Sequence, residues 1–536
     1  MKLSLKDVKR RIKSASKEMD TQAGLFQEAA KLTDPNRSRF FNETMDGSTG
    51  FQQVFDDTAI IARRRSINTL QQSIVPTGLS WATLDPIDSV PDDRMQEEQL
   101  FPEFAVEGGE GSGIMTIEEA LEMSVKVAFQ YINSSNFAGK VNESLRDMML
   151  STGVLEVDYN IPMDRLEFKA VPLCDVTLGC TPSGDMPRDV FYAMSVPYEQ
   201  ITAVLKVKPT EKMKSSYKES PNALVKFKCG VYHDYDTDED YYVILCEESG
   251  ELLKNELLKT GSRFIVFRSD VSPGETLGRG IDLQALPSIR QLNLMIEHKN
   301  VSDEIDLIGM YTVVNDGILN TNTLSMEPGA LISVMSNSNT DPTMRRLDTG
   351  GITQSPLMTI QDLKQQIRDA YMVDPIGSMN DPTKTATEIL ARQQMALAER
   401  APEVLRIAKE LAEQVFWKCL SLLGEAGKIP KWNDQFFSVR FTSPVGQIQQ
   451  IEEAQALVQA AQMSAASGID PQMFALGVKV EEAGPYFCRT LGVPATMIRT
   501  NQERERIGQQ AAQIATTHGA SQGAQGAPGG GQQTVQ

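Results

Sequence analysis

A run of apolar residues with helical spacing, between residues 385 and 424, constrains the fold of this chain more than any other feature. Its members recur every three or four positions: Leu397, Ala401, Val404, Leu405, Ala408, Leu411, Val415, Phe416, Cys419 and Leu423. At a rise of about 1.5 Å per residue, this helix would be on the order of 60 Å long. Pro402 removes one helical hydrogen bond, which predicts a kink near Ala398, and Gly424 is predicted to end the helix.

A segment rich in helix breakers, residues 374–384, lies directly before this helix. Its sequence, DPIGSMNDPTK, contains two Asp-Pro pairs, and a proline disfavours helical backbone in the residue before it. Ser355-Pro356 predicts the start of an earlier helix, and Thr385 with Glu388 forms a capping box at the start of the later one. The segment is therefore predicted to be a pliable loop between two helices, with a plain interhelix turn as the alternative.

A polar stripe marks another helix, predicted to run from residue 281 onward. Its members recur at helical spacing: Arg290, Asn293, Glu297, Asn300 and Glu304. An apolar face lies beside the stripe, formed by Ile289, Leu292, Ile296 and Ile305. The helix that begins at Ser355-Pro356 has a similar face, formed by Ile360, Leu363, Ile367 and Ala370. Pro287 is predicted to lie in the first helical turn. Such a stripe is commonly just the solvent side of a helix.

Six β-rich runs indicate sheet structure between residues 153 and 268. They are VLEVDYN, RLEFKAV, DVFYAMSV, LVKFKCGVYH, DYYVILCEE and RFIVFR. Asp234, Asp236 and Asp238 alternate like calcium-loop ligands, but the glycine and the glutamate that such a loop needs are missing. A polar hairpin tip is therefore predicted there. Further short strands are predicted in YTVVNDGILN, around an Asp-Gly turn, and in GALISVM.

The N-terminal third combines predicted helices with two charged stretches. Residues 52–74 predict an amphipathic helix, with Val54, Ile61, Ile67, Leu70 and Ile74 mostly on one face. Residues 1–20 hold seven Lys and Arg against three acids, which indicates a solvated helix face or, alternatively, an arm that touches an acidic partner. Residues 85–122 are strongly acidic and include a glycine-rich stretch that indicates a surface loop. A helix is predicted over residues 116–150.

Composition limits the classes of function that this chain can have. With 52 Lys and Arg against 71 Asp and Glu, the 536 residues carry a net charge of -19, which argues against a tight grip on DNA but not against loose contact. No apolar run is long enough to span a bilayer, and the basic start lacks the apolar core of a secretion signal. The six cysteines match no zinc pattern or disulfide framework, which predicts folding in a reducing, intracellular place. The length predicts two to four domains.

The sequence offers no candidate active site. None of the three histidines, His233, His298 and His518, stands near a nucleophile motif, and the phosphate-binding P-loop is missing. The stretch PGETLGRG, residues 273–280, lacks the dinucleotide-binding spacing, so turns that need positive φ are predicted there. We therefore expect no enzyme activity, no cofactor and no metal, with an enzyme of unrecognised type as the alternative.

Six motifs occur in order along the chain: INTLQQSIVPTGLSWATL, SSNFAGKVNESLRDMMLSTGVLEVDY, GETLGRGIDLQALPSIRQLNLM, TATEILARQQ, FTSPVGQIQQIEEAQALVQ and LGVPATMIRT. Each motif alone is weak. Together they resemble the portal protein, or head-to-tail connector, of short-tailed bacteriophages, and the resemblance covers almost the whole chain. The acidic glycine-rich loop at residues 108–113 and the C-terminal tail match no pattern of that family.

The resemblance implies an α+β portal fold with a defined order of parts. These are an α/β wing (1–280), a two-helix stem (281–308 and 356–373), a small β-rich clip (309–355), a tunnel loop (374–384), a long kinked helix with the wing return (385–445), a helical C-terminal crown (446–515) and a flexible low-complexity tail (516–536).

The same resemblance implies which residues meet DNA. The tunnel loop would touch DNA in a central channel through Gly377, Ser378, Met379, Asn380, Asp381 and Lys384. Glu297, Asn300 and Glu304 of the first stem helix would face that channel, where rings of carboxylates repel phosphate. The alternative is that Glu297 and Glu304 pair with Arg290, Lys364 or Arg368 between the stem helices.

The implied function is that of a viral portal ring, through which double-stranded DNA is packaged and ejected. The ring, a dodecamer in the family, would sit at one capsid vertex of the virion after assembly in the host bacterial cytoplasm. Its partners would be the major capsid protein, the scaffolding protein, the terminase large subunit, a tail adaptor or tail tube protein and DNA, with no membrane. The alternative is another virion component, a tail adaptor or internal core protein without a DNA channel.

Overall fold

A computed structural model describes most of the chain outside its C-terminal part. The described residues are 3–35, 54–86, 117–179, 186–217, 222–308, 354–373 and 401–432, with short pieces at 37, 39–40, 43–44, 310–313, 344–347, 437–442, 459–460, 462–463 and 484. The chain divides into two compact units. The first comprises Met1–Thr77 and Ile132–Leu422, and the second Gly78–Tyr131 and Leu423–Gln536.

The described α-helices span both units. They are α1 (Leu5–Thr33), α2 (Thr58–Ile74), α3 (Ile117–Ser134), α4 (Phe137–Leu150), α5 (Ile201–Leu205), α6 (Glu211–Tyr217), α7 (Ile281–Ile308), α8 (Gln354–Ala370) and α9 (Gln414–Glu425). Residues 401–407 are also helical and lead through a π-helical stretch, Ala408–Glu413, into α9.

The described strands are mostly short. They are β1 (Arg39–Phe40), β2 (Glu43–Thr44), β3 (Ala82–Pro86), β4 (Thr152–Asn160), β5 (Arg165–Ala170), β6 (Val176–Leu178), β7 (Val190–Pro197), β8 (Leu224–Asp234), β9 (Glu239–Cys246), β10 (Leu252–Leu258), β11 (Phe264–Arg268), β12 (Met310–Val313), β13 (Met344–Leu347) and β14 (Phe437–Phe441).

The strands form one five-stranded sheet, one three-stranded sheet and three two-stranded pairs. The larger sheet has the order β10-β9-β8-β7-β6 and the smaller one β11-β4-β5, while β1 pairs with β2, β12 with β13 and β3 with β14. Every strand pairing among the described residues is antiparallel. Antiparallel sheets with separate helices define an α+β fold, as predicted.

Helix α1 contributes to two hydrophobic cores around the five-stranded sheet. Alternate residues of a strand point to opposite faces, so Tyr192 lies in one core with Met19 and Phe26, and Phe191 lies in another with Val8. Five basic residues of the helix are exposed, which confirms the predicted solvated face at these positions: Lys6, Lys9, Arg10, Lys13 and Lys17. Arg11 is partly buried instead and pairs with Asp189 at 3.3 Å.

The helix predicted over residues 116–150 is in fact two helices, α3 and α4, and long-range contacts explain the break. The Asn136 side chain accepts a hydrogen bond from the Phe168 N–H (2.9 Å) and donates one to the Phe168 carbonyl (2.8 Å). Ser135 Oγ accepts from the Phe137 N–H at 3.2 Å. Short polar side chains that bond to backbone in this way favour helix ends, and here Asn136 also covers the outer edge of β5.

Each of the six β-rich runs predicted from the sequence forms a strand in the structure. The tip between β8 and β9 is a hairpin with Asp234 opposite Glu239 and positive φ at Asp238, as predicted. Strands β6 and β10 were missed, because three residues are too few for a pattern and because LLKNELL favours helix by composition. Strand β12 pairs with β13, whereas the predicted Asp-Gly turn and the GALISVM strand lie outside the described residues.

Two predicted proline and glycine roles need correction. Helix α7 begins at Ile281, so Pro287 is its seventh residue and not part of the first turn. Only Gly274 in the stretch 273–280 has positive φ. Gly278 and Gly280 instead allow close backbone contact, since a Cβ at either position would overlap the carbonyl of Ser151 or Met149 at the end of α4.

The helix around residues 401–425 differs from its prediction at its C-terminal end, and its predicted start is not tested. Residues 374–400, which include the predicted kink near Ala398, lie outside the described part. The helix ends at Glu425, so Gly424 lies inside it, and Gly427 takes the left-handed conformation with φ 70°. The π-helical stretch was not predicted.

Helix α2 differs from its prediction in two ways. It begins at Thr58 and not at residue 52, so Val54 lies before the helix, and one residue of the predicted apolar face is exposed. Ile67, Leu70 and Ile74 are buried, but Ile61 is 45% exposed. Nine residues separate Ile61 from Leu70, which places them on opposite sides of an α-helix. Ile61 therefore does not belong to the apolar face.

The second unit has its own small core in the described residues. The Trp81 indole is 1% exposed and packs edge-on against Phe129 at 5.1 Å, and β3 pairs with β14 beside it. The regions implied to be the crown and the tail lie almost entirely outside the described residues.

Candidate functional site

Helices α7 and α8 of the first unit pack together, and α7 carries the helical residues predicted to face DNA. On α8, Ile360, Leu363 and Ile367 are buried, as predicted, while Ala370 is only partly buried. On α7, Ile289 and Leu292 are buried and Ile296 and Ile305 are partly buried. The apolar faces predicted from the sequence therefore hold for most of their members.

A buried charged cluster, which we call the anchor, joins this helix pair to the rest of the unit. Asp282, at the start of α7 and fully buried, accepts hydrogen bonds from Arg63 Nε at 2.8 Å and from the Tyr371 hydroxyl at 2.6 Å. Arg63 also pairs with Asp34 at 3.1 Å and donates to the Arg146 carbonyl at 2.6 Å. The anchor thus links the residues that follow α1 and α8 with α2, α4 and α7.

The anchor is electrostatically balanced inside the protein. Burial disfavours charge on Arg63, but the carboxylates of Asp282 and Asp34 outweigh it and raise the pKa of the guanidinium. Burial and the adjacent Asp282 carboxylate raise the pKa of Tyr371 well above its usual value, so this hydroxyl stays protonated and remains a donor. Such a cluster fixes the position of α7 and α8 only while all its members are present.

The polar stripe on α7 divides into two parts in the structure. Near the start of the helix, Arg290 pairs with Glu28 at 2.7 Å, and Asn293 accepts a hydrogen bond from the Phe55 N–H at 2.8 Å. Farther along, Glu297 is partly exposed, and Asn300 and Glu304 are exposed. Among the described residues neither glutamate has an ion-pair partner.

The cations proposed as alternative partners for these glutamates are placed elsewhere. Arg290 binds Glu28, and Lys364 binds Asp56 at 2.6 Å. Burial of Asp56 tends to raise its pKa, but the hydrogen bonds from Lys364 and Thr58 outweigh burial, so the pKa of Asp56 is lowered. Arg368 is exposed and makes no ion pair within the described ranges. The described contacts therefore give no support to pairing between the two helices.

An exposed apolar strip lies next to the two glutamates on α7. Leu294 and Val301, seven residues apart, are each 50% exposed. On a helical wheel they lie about 40–60° from Glu297, on the side away from the buried residues Ile289 and Leu292. The exposed surface of this part of α7 thus carries polar side chains and, beside them, two half-exposed apolar side chains.

A second buried ion pair joins the later helix to the three-stranded sheet. The Arg268 guanidinium at the end of β11 lies 3.1 Å from the Glu410 carboxylate, which also accepts the Arg268 N–H at 2.9 Å. Glu410 belongs to the π-helical stretch, and such local changes of helix register are often found at functional sites. No sequence pattern predicted this pair or the anchor, because their partners are far apart in the chain.

The other residues predicted to contact DNA belong to the tunnel loop and not to the helix pair. The tunnel-loop residues Gly377, Ser378, Met379, Asn380, Asp381 and Lys384 lie outside the described part. In the portion that is described, no group of three or more His, Cys, Asp or Glu side chains is placed to hold a metal ion. None of the described helices combines the length and apolar character needed to cross a membrane.

Comparison with protein families gives this helix pair a context. A family model for the bacteriophage head to tail connecting protein matches residues 5–498. The chain belongs to this family. Members of this family are structural proteins of the virion that join the phage head to its tail, so the resemblance predicted from the six motifs is confirmed.

Solved structures include a similar chain from a phage-like particle. The structure is described as the neck of an empty GTA particle computed with C6 symmetry, and it shares 10% sequence identity with this connector-family chain. The alignment covers 78% of this chain and 94% of that chain, with a TM-score of 0.33. A comparison with curated proteins finds no match. The family assignment therefore rests on the sequence match.

Proposed function

We propose that this chain is a portal subunit, which assembles into a closed ring at one capsid vertex and forms the channel for double-stranded DNA during packaging and ejection. The observation that supports this most is the family match over residues 5–498. A ring at the junction of head and tail would be on the only path by which DNA enters and leaves the head. The protein would act as a structural channel without enzyme activity or a cofactor, and the motor would be a separate protein.

The proposed parts follow the order inferred from the sequence. Residues 1–280 would form the wing, α7 and α8 the stem, and residues 309–355 the clip. Residues 374–384 would form the tunnel loop and residues 446–515 the crown. The clip would dock the terminase large subunit during packaging and the tail adaptor or tail tube afterwards, while the outer surface would contact the major capsid protein and the scaffolding protein.

The surface of α7 suits a helix that lies between a channel and a neighbouring subunit. The apolar strip of Leu294 and Val301 would be covered by the next subunit, since a ring closes through heterologous contacts. Glu297, Asn300 and Glu304 would then face the channel. Repeated around the ring, their carboxylates would repel phosphate and let DNA slide in both directions.

Electron microscopy of the purified chain tests this proposal directly. Negative-stain class averages should show rings with a central hole, and native mass measurement should give a closed oligomer, with twelve subunits as the number expected for the family. A compact particle without a hole would favour the tail adaptor or internal core protein instead. Monomers across a wide concentration range would contradict the proposal.

Deletion of residues 377–381 tests the tunnel loop. The deletion should leave ring assembly intact, because the helix pair and its anchor lie outside the deleted segment. DNA packaging or retention in particles should be impaired, because the proposed contact between the loop and DNA would be lost. A variant that replaces the same five residues by Gly and Ser at equal length serves as the control for loop connectivity. Particles with normal genome length and infectivity after the deletion would refute a role for this loop.

A further inference from the structure

A large cleft lies between the two main sheets of the first unit, away from the helix pair. Its volume is about 850 Å³, and it is lined by β4, β5, β7, the end of α5 and single residues of β9 and β10. We call it the intersheet cleft. Its lining cations are Arg165, Lys169, Lys206, Lys254 and Arg263, and its lining carboxylates are Glu156, Asp158 and Glu167. Five cations against three carboxylates reverse the charge balance of the chain, which has 52 basic and 71 acidic residues.

The cations of the cleft are held against two tyrosine rings. Lys169 Nζ lies 4.5 Å from the centroid of Tyr192, and Arg263 Cζ lies 5.2 Å from that of Tyr242. Lys254 Nζ lies 5.8 Å from the Tyr242 centroid on the same wall. Cations that are stacked in this way lose little conformational freedom when they bind an anion.

The carboxylates that line the cleft lie next to its cations. Glu156 is 13% exposed and lies 3.8 Å from Lys169 Nζ. Burial raises its pKa, although Lys169 and Arg263 oppose that effect. Arg263 pairs with Asp158 at 3.2 Å, and Arg165 pairs with Glu167 at 2.8 Å. Lys206, which takes the left-handed conformation with φ 54°, is exposed and has no ion pair within the described ranges.

We infer that the intersheet cleft is a docking site for an acidic polypeptide segment. Side-chain carboxylates of such a segment would meet Lys206, which is exposed and has no ion pair within the described ranges. They would also compete for Lys169 and Lys254, whose present partners are Glu156 at 3.8 Å and Glu256 at 2.9 Å. Its backbone N–H groups could donate to Glu156 and Asp158. The exposed apolar side chains at the rim, Ile161 and Val204, would contact its apolar residues.

The composition of the cleft favours a polypeptide over a nucleic acid. A phosphate backbone carries one charge per nucleotide and would be repelled by the three lining carboxylates, whereas carboxylates of a peptide are spaced by its sequence. Bases bind single-strand sites by stacking on aromatic faces. Lys169, Arg263 and Lys254 already lie over the rings of Tyr192 and Tyr242, so those rings offer no free platform.

Peptide binding to the full chain tests this inference. The probe is a fluorescent peptide of sequence DDRMQEEQLFPEFAVE, which repeats residues 92–107 and combines six acids with two phenylalanines. Its fluorescence anisotropy should rise on titration with the protein, and the effect should weaken as salt screens the charges. The double variant Lys206→Gln/Lys254→Gln should weaken binding about tenfold, because it removes one exposed and one partly buried cation of the cleft. The same peptide with Gln and Asn in place of Glu and Asp should not bind.

Matched controls separate docking from general charge attraction. The double variant Lys6→Gln/Lys13→Gln removes the same charge from the exposed face of α1 and should bind the acidic peptide as tightly as the unmodified chain. Equal weakening in both variants, or no binding of the peptide at all, would overturn the inference. Displacement of the peptide by a DNA oligonucleotide that is itself sensitive to Lys206→Gln/Lys254→Gln would reassign the cleft to nucleic acid. Ring formation is measured separately, so failure of the portal proposal would not be mistaken for failure of this one.

Discussion

Replacing Arg63 by methionine should lower the free energy of unfolding by about 3–5 kcal/mol, the largest loss of stability that we expect from one substitution in this chain. The change removes the buried cation that faces Asp282 at 2.8 Å. Asp282 is fully buried, so its carboxylate would remain without its ion-pair partner and without access to water. Urea unfolding at fixed protein concentration measures the loss, since any assembly stabilises the folded chain by mass action.

Two further variants show whether the loss comes from the anchor. Arg63→Met combined with Asp282→Asn should recover part of the stability, because an uncharged amide costs less to bury than an unpaired carboxylate. Arg165→Met removes an arginine that is 54% exposed and paired with Glu167, and should cost at most about 1 kcal/mol. An Arg63→Met chain that loses no more than the Arg165→Met control would show that the anchor does not hold the helix pair.

The pH dependence of the same variant gives an independent check. Above about pH 4 a carboxylate is ionised in the unfolded chain, so folding of Arg63→Met must bury a charge or take up a proton. Below that pH the group is protonated in both states and the penalty disappears. The stability difference between the variant and the parent chain should therefore be largest near neutral pH and shrink in acid. A difference that does not change with pH would point to lost packing of the arginine stem instead.

The anchor illustrates which features the sequence could predict and which it could not. Helical spacing correctly identified most of the buried residues of α2, α7 and α8, because that pattern depends on residues within a few turns of each other. Arg63 and Asp282 are 219 positions apart, and neither stands out among its neighbours in sequence. Only the fold brings them together, so the residues that fix the candidate site were missed.

The helix break at Asn136 and the role of the two glycines before α7 also depend on contacts between residues that are far apart in the sequence. Local propensity favoured one helix over residues 116–150, but Asn136 binds the backbone of Phe168, 32 positions later. Gly280 looked like a turn residue, yet its role is to let the chain pass the end of α4 without overlap. The polar stripe was predicted as one feature, and contacts with Glu28 and Phe55 divide it into a structural part and a free part.

Replacing Glu297 and Glu304 by lysine should make the channel bind DNA in a salt-dependent way. Each substitution raises the charge by two, so the net charge of the double variant rises by four per subunit, and this change is repeated around a ring. If these positions face the channel, DNA affinity should rise about tenfold or more at low salt. The slope of log affinity against log salt concentration should also become steeper, by about 0.9 for each phosphate contacted. Filter binding over a salt series and the rate of DNA packaging measure the two effects.

The stability of the double variant distinguishes the two interpretations of these glutamates. Neither residue has an ion-pair partner among those the structure describes, so the rings should remain intact. If the glutamates instead paired with cations of a neighbouring helix or subunit, the substitution would place like charges together and weaken the ring. Rings that dissociate, or rings that bind DNA with unchanged salt dependence, would rule out channel-facing carboxylates.

The companion helix supplies a control with the same charge change. Asp362 and Asp369 on α8 are exposed and, like Glu297 and Glu304, lie seven residues apart. Asp362→Lys/Asp369→Lys therefore adds the same charge to the same helix pair on a different surface. If α7 alone lines the channel, only the α7 variant should slow DNA passage, because a charge outside the channel is separated from DNA by more than the screening length of about 8–10 Å. Equal effects of the two variants would mean that net charge, and not the position of Glu297 and Glu304, governs DNA transit.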